Sequence, residues 1–375
     1  MNTVNLDFFQ NQIPTVTTLH HIDSKTNLAP LFTSDAIMTV SKPWLEKVAK
    51  LGIPQEKIGL VPFGINTDAF HPVPYPEKLN IRKRLSIRPD TFLVGFASRS
   101  LSNNEGRKGI ECFIHALRLL QKQHPNISSV IIGPGWHQLA HWLNKQNIPC
   151  HRRPYQFQPD STSELYKALD VFWVTSRNEG GPIPLLEAMA CGIPSISTPV
   201  GAALDLIHPY QNAFIVPFND ADKFASLSLH LLANPNLKKE IGEAARKTII
   251  HHRQWEQTQQ KARELYEIAI KNFQIRFPSQ RFRSPQSCSS INLFSSSIQK
   301  KMLALENLRG LRTMLEMREW GAAGRMGFTA IRNAPFNIQI WHELFNTTLK
   351  STQKSRKHTR HLSNQLKLAL TSSPR

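Results

Sequence analysis

The chain has 375 residues, with 46 Lys/Arg against 27 Asp/Glu, a formal net charge of +19 and a hydrophobic content of 40%; that composition supports a packed core and excludes a collagen-like or wholly disordered chain, and the length allows two or three domains. No apolar run reaches the roughly 18–20 residues of a membrane-spanning helix, and the opening MNTVNLDFFQNQIP lacks the basic-then-apolar order of a secretory signal. The four cysteines, Cys112, Cys150, Cys191 and Cys288, are far apart without a CxxC, so neither a zinc site nor a disulfide framework is expected and a reducing cytoplasm is the simplest home.

Residues 1–60 read as two strands with their helices, one strand falling at 36–40. Further short apolar runs follow at 93–97, 130–133, 171–175, 195–198 and 213–217, rich in Val, Ile and Phe and bounded by Gly, Pro, Asn or Asp. Such runs are the pattern of buried parallel strands. Helical patterns lie between them. Ile110, Phe113, Ile114, Leu117 and Leu120 share one face behind the Gly109 turn. Further helices are expected at 161–169, from Pro184, and at 220–233, 235–250 and 254–271. The alternation predicts an α/β fold with βαβ crossovers and a doubly wound sheet, whose ligands sit at the carboxyl ends of the strands.

Beyond about residue 272 the character changes. Residues 275–298 are rich in Ser, Arg, Phe and Pro and read as a linker. Residues 298–317 are periodic and predicted helical, and the last 25 residues, with KSRKHTR at 354–360, read as solvated. Residues 271–375 carry 18 Lys/Arg against 4 Asp/Glu, a net +14 of the total +19. A partner selected by charge, such as anionic lipid, would meet this tail rather than the body. The tail lacks the interleaved aromatic platforms of a nucleic-acid module, so no nucleic-acid partner is expected. Residues 318–345 also echo 239–266 at an offset of 79, with Glu240/Glu319, Gly242/Gly321 and Arg246/Arg325 among the identities.

The most informative stretch is RNEGGPIPLLEAMACGIPSISTPVGA at 177–202. It follows a strand and opens a helix near Pro184, a residue suited to a first helical turn. Amides at such a helix start favour an anion, best a diphosphate. Glu179 and Glu187 lie eight apart, one in the loop and one in the helix, and their carboxylates can accept hydrogen bonds from sugar hydroxyls. A glycine–proline loop with two solvated glutamates would read the same way taken alone. Two cations make the binding reading the stronger one. Arg99 ends the strand run LVGFASR, and Lys108 precedes Gly109 at the next helix start. A fixed Arg and Lys would stabilise a nucleoside diphosphate leaving group without a metal.

These residues resemble the retaining glycosyltransferases of family 4, which have the GT-B fold of two facing Rossmann-like domains. The likeness covers about residues 10–271 and rests on DAIMTVS at 35–41, VPFGINTDAFHP at 61–72, Arg99 with Lys108 and Gly109, the glycine turn from Gly133 to Gly135, and EGGPIPLLE, which resembles the family's EX7E motif. The resemblance implies catalytic roles for Glu179 and for His20, with His21 as an alternative, and donor binding by Arg99, Lys108, Gly133, Gly180, Gly181, Ile183, Pro184, Leu185 and Glu187. The motif usually has glycine where Pro182 stands, which removes one backbone donor. It also implies sugar transfer with retention from a UDP- or GDP-linked donor to a glycan, lipid or small-molecule acceptor. No metal or other cofactor is implied, and cytoplasmic action, peripheral to the inner membrane face, is expected.

The resulting division is a partial N-terminal Rossmann-like segment at 1–70, a complete nucleotide-sugar-binding domain at 71–272, a linker at 273–299 and a basic, mainly helical tail at 300–375. The first segment is short for a whole domain. The chain is therefore read as N-terminally incomplete, and a fragment that binds donor without turnover is the competing function. Two or three strands bury little area, so this segment is also expected to be less stable than the rest.

Overall fold

A computed structural model describes residues 13–22, 26–98, 105–153 and 159–278. The expected helices and solvated end of the tail, and the echo of 239–266, lie outside the described residues.

The chain begins with a parallel sheet of order β1–β2–β3. Its elements are β1 (Val16–Leu19), α1 (Ala29–Thr33), β2 (Ala36–Thr39), α2 (Lys42–Ala49) and β3 (Ile58–Leu60). Val16 pairs with Ala36 and Ile37 with Ile58. Leu19, Leu31, Ile37, Trp44, Val48 and Ile53 form one buried cluster. A second cluster joins Ala36 and Val61 to Leu265 and Ala269. Those last two belong to a helix, here called the return helix (Trp255–Arg276), which comes back from the far end of the described chain. Arg276 holds Asp35 at 3.0 Å, and Asn272 donates to the Asp35 carbonyl at 2.9 Å. The short sheet thus obtains part of its apolar cover from a segment more than 200 residues away.

The second sheet has six strands in the order β6–β5–β4–β7–β8–β9. They are β4 (Phe92–Ala97), β5 (Ile127–Ile132), β6 (Cys150–Arg153), β7 (Val171–Val174), β8 (Ser195–Ser197) and β9 (Phe214–Ile215). Strands β7, β8 and β9 pair in parallel, as do β5 and β6. The order reverses between β4 and β7, the switch point where doubly wound sheets take their ligands. The helices are α3 (Tyr75–Arg84), α4 (Glu105–Lys108), α5 (Ile110–Gln123), α6 (His137–Lys145), α7 (Pro159–Lys167), α8 (Ile183–Ala190), α9 (Ala202–Leu206), α10 (Ala221–Ala233) and α11 (Pro235–His252), and the return helix is α12.

The chain divides into two compact units. Of the described residues, the larger comprises 13–22, 26–95, 107–127 and 159–278. Its core stacks Trp173 edge-on against Phe113 and Phe224, with ring centroids 5.9 and 5.6 Å apart. The indole N–H of Trp173 donates to Ser228 Oγ at 3.1 Å, so this large ring is buried with its polar atom satisfied. A buried carboxylate ties α3, α11 and β4 together: Asp170 meets Arg82 at 2.6 Å, Lys78 at 2.9 Å and Lys238 at 3.4 Å, and accepts the Leu93 N–H at 2.8 Å. Burial works against its ionisation, but Lys78, Arg82 and Lys238 outweigh that and hold the carboxyl well below the usual range. Of the described residues, the smaller unit comprises 96–98, 105–106 and 128–153. Within it α6 packs on β6, and the buried Trp136 stacks edge-on against Phe96 and donates to the Ser98 carbonyl at 2.7 Å.

Candidate active site

The site grows from two chain turns at the switch point. At the start of α5, Gly109 has φ +65°, and a Cβ there would lie 1.9 Å from the Thr175 carbonyl oxygen. Only glycine lets the two segments approach this closely. Thr175 Oγ1 then donates to the Lys108 carbonyl at 2.9 Å, and the Arg177 N–H donates to the Arg107 carbonyl at 2.7 Å. These bonds lay Arg107 and Lys108 alongside the loop that follows β7.

Glu179 lies on that loop. Its Oε1 accepts from Lys108 Nζ and, at 2.9 Å, from Ser176 Oγ. Its Oε2 stands 3.4 Å from Arg107 Nη1, which also donates to the Asn178 carbonyl at 3.0 Å. The Lys108 and Glu179 side chains are 15% and 14% exposed, so this pair is largely shielded from water.

The first sheet reaches the same loop. A Cβ on Gly180 would lie 1.6 Å from the His20 carbonyl oxygen. Trp44 Nε1 donates to the Glu179 carbonyl at 3.1 Å, and Asn178 Nδ2 to the Ile22 carbonyl at 3.5 Å. His20 stacks flat on Phe63, with centroids 5.6 Å apart and planes 13° apart. Although one side of His20 is exposed, loss of water on the stacked side lowers its pKa and favours the neutral ring. Gly181 sits against Phe63.

The other residues named from the sequence are placed as follows. In α8 the Ile183 N–H donates to the Gly181 carbonyl at 2.8 Å and the Leu185 N–H to the Pro182 carbonyl at 2.8 Å, while Pro184 has no N–H. Those two amides are bonded inside the turn, and the Lys108 and Arg107 side chains bring positive charge to the loop. Glu187 is 4% exposed. Its Oε2 accepts from Tyr166 OH at 2.5 Å. Burial pushes its pKa up to about 7, against a smaller opposing effect of the tyrosine. Gly133 belongs to the smaller unit, where it follows β5 with φ 127° and its N–H donates to the Arg153 carbonyl at 2.8 Å. Arg99 lies outside the described residues.

Sequence reasoning passed over several contributors. Arg107 was visible as the neighbour of Lys108. Trp44, Phe63 and Tyr166 carry no local signal, because their site partners are distant in sequence. Among the described residues, no group of three or more His, Cys, Asp or Glu is placed to hold a metal.

Residues 77–248 match the family model described as "Glycosyl transferases group 1". Among curated relatives, the chain is 29% identical over 189 residues to the putative glycosyltransferase EpsD of Bacillus subtilis, covering 50% of this chain and 48% of the relative. It is 27% identical over 208 residues to the GDP-mannose-dependent monoacylated alpha-(1-6)-phosphatidylinositol monomannoside mannosyltransferase of Corynebacterium glutamicum, covering 52% of each. The chain spans about half the length of the curated relatives it matches. Among solved structures, the sucrose-phosphate synthase from Thermosynechococcus elongatus aligns with a TM-score of 0.55 at 22% identity, over 67% of each chain. Anabaena HepE, solved in complex with UDP-glucose, aligns with a TM-score of 0.58 at 18% identity, over 68% of this chain and 72% of that one. The fold is α/β of the GT-B type.

Proposed function

We propose that the chain transfers a sugar from a UDP- or GDP-linked donor to a glycan, lipid or small-molecule acceptor, with retention of configuration. The observation that carries this reading is the seating of Lys108 and Arg107 on the Glu179 carboxylate at the switch point of the sheet. The group 1 match over 77–248 and the UDP-glucose carried by HepE support it.

In this reading the ion pair opens as the donor arrives. Lys108 and Arg107, with Arg99, turn to the diphosphate, and Glu179 is released to hydroxyls of the transferred sugar. The acceptor hydroxyl attacks C1 on the face from which the diphosphate leaves. The bond from C1 to the β-phosphate oxygen breaks as the new C1–O bond forms, and the acceptor proton passes to the departing phosphate. The cations stabilise the charge that develops there, so no resident metal is required. Glu187 holds the ribose hydroxyls, and His20 lies on the sugar side. The enzyme works in the cytoplasm, with its +14 tail against an anionic leaflet. Among the described residues no helix is long and apolar enough to cross a membrane.

Calorimetric titration with UDP and GDP tests the donor half of this reading. Lys108→Ala is expected to weaken the preferred nucleotide by about 1.5–3 kcal/mol, the range of a hydrogen bond to a charged group. Unchanged affinity would remove Lys108 from the diphosphate site.

A further inference from the structure

Helix α8 carries Glu187 into the body of the larger unit, where a carboxyl group needs a donor to stay charged. The donor comes from the neighbouring helix. Tyr166 on α7 is fully buried, and its OH donates to Glu187 Oε2 at 2.5 Å. The tyrosine ring is itself wedged in place. It meets Phe70 edge-on with centroids 5.8 Å apart, and Phe172 of β7 at 5.6 Å. One oxygen of Glu187 is therefore fixed. The other, Oε1, has no hydrogen-bond partner among the described residues, yet it is not sealed from solvent as the unpaired Ser41 Oγ and Arg253 Nε are. A carboxylate with one oxygen held and the other open accepts from a hydroxyl brought to it in a set orientation.

We infer that Tyr166 is a positioning residue for the nucleoside end of the donor: by holding Oε2 it presents Oε1 to the ribose hydroxyls, and so makes the site select ribonucleotides over deoxyribonucleotides. This rests on the reading of Glu187 as the ribose contact. The phenol also acts on charge. Burial pushes the Glu187 pKa up to about 7, and the bond from Tyr166 works against that rise. The groups around α8 leave this task to the tyrosine. Burial pushes the Cys191 thiol at the end of α8 up to about 12, so it stays neutral. Arg246 on α11 donates to the Phe70 and Ala190 carbonyls at 2.6 and 3.0 Å. Lys167 ends α7 and is half-buried. Strands β7 (VFWV) and β8 (SIS) carry no titratable side chain. An ionised carboxylate accepts from a hydroxyl more strongly than a neutral carboxyl does. Loss of the Tyr166 OH should therefore weaken the ribose contact near neutral pH, and a higher pH should restore much of it.

The test is calorimetric titration of the full chain with UDP and GDP, each beside its 2′-deoxy and 3′-deoxy forms, at about pH 6, 7 and 8.5. The ratio of ribo to deoxy affinity is read at each pH, which cancels the ionisation of the phosphates. The wild type should prefer the ribo form, with a ratio that rises with pH, and Glu187→Gln should lose the preference at every pH. Tyr166→Phe keeps the ring and removes only the OH. It should lower the ratio at neutral pH by about threefold to tenfold, leave deoxynucleotide affinity unchanged, and recover most of the ratio at the highest pH. A wild-type preference that Tyr166→Phe leaves intact, or a Tyr166→Phe loss shared equally by ribo and deoxy forms, would overturn the positioning role while the ribose contact stands. No nucleotide binding, no ribo preference in the wild type, or a preference that survives in Glu187→Gln would overturn the ribose contact and this inference with it.

Discussion

Replacing Glu179 by Gln should tighten the binding of free UDP or GDP while it removes transfer. Lys108 donates to Glu179 and Arg107 stands 3.4 Å from the same carboxylate. A diphosphate therefore has to compete with Glu179 for both cations. A hydrogen bond to a charged group contributes about 1.5–3 kcal/mol, whereas a neutral one contributes about 0.5–1.5 kcal/mol. The Lys108 and Glu179 side chains are 15% and 14% exposed, so solvent screening only partly reduces the difference. The glutamine amide still accepts from Lys108, so the competition falls by about 1–2 kcal/mol, or roughly 5-fold to 30-fold in Kd. Calorimetry on wild type and Glu179→Gln under identical salt measures this directly. High salt should shrink the gain, since the competing terms are electrostatic. Equal or weaker nucleotide binding by Glu179→Gln would show that Lys108 and Arg107 do not contact the diphosphate, and the exchange of partners would have to be abandoned.

Other expectations concern stability. Gly180→Ala forces a Cβ against the His20 carbonyl, 1.6 Å away in the present geometry; a loss of about 1–3 kcal/mol is expected in urea unfolding. Asp170→Asn leaves Lys78, Arg82 and Lys238 without their buried counter-charge, which should cost about 3–5 kcal/mol by the same measurement. Glu187 has its pKa raised from 4.5 to about 7 in the fold. The folded state therefore keeps a proton that the unfolded chain has lost, and stability should fall as pH rises through the window from about 4.5 to 7. Glu187→Gln should flatten that slope, by up to roughly 3 kcal/mol above pH 7. Thermal melts of both proteins across this window check it, and parallel curves would show that Glu187 is already ionised in the fold.

What could be read from the sequence was set by how local each signal is. The strands at β4, β7 and β8 are buried and announce themselves as short apolar runs. Strand β5 starts at Ile127 rather than near 130, because Ser128 and Ser129 are buried within the sheet but look polar in the sequence. Strands β1 (VTTL) and β6 (CHRR) are polar in sequence and only partly buried, so neither shows an apolar run that would place it. The α3 segment YPEKLNIRKR is too polar to show an apolar face, although Ile81 and Arg82 are buried. Helix 254–271 was legible, as was the strand at 36–40, but the packing of one on the other was not, since Asp35 and Arg276 meet across 241 residues. The site divides the same way. Glu179 and Lys108 each sit on a recognisable turn, and Gly109 explains why the turns touch. The floor formed by Trp44, Phe63 and the His20 carbonyl depends on contacts between the first sheet and the Glu179 loop.

The central claim is sugar transfer at the Glu179 loop, and turnover measures it most directly. The full chain is incubated with a panel of UDP- and GDP-linked sugars, with and without glycan, lipid and small-molecule acceptors, and released nucleoside diphosphate is quantified. The account predicts that at least one donor is consumed, that Glu179→Gln abolishes this while still binding the nucleotide, and that the product anomer matches that of the donor by proton NMR. Nucleotide binding without consumption of any donor would contradict the enzymatic reading and leave a chain that holds a nucleotide sugar without transferring it.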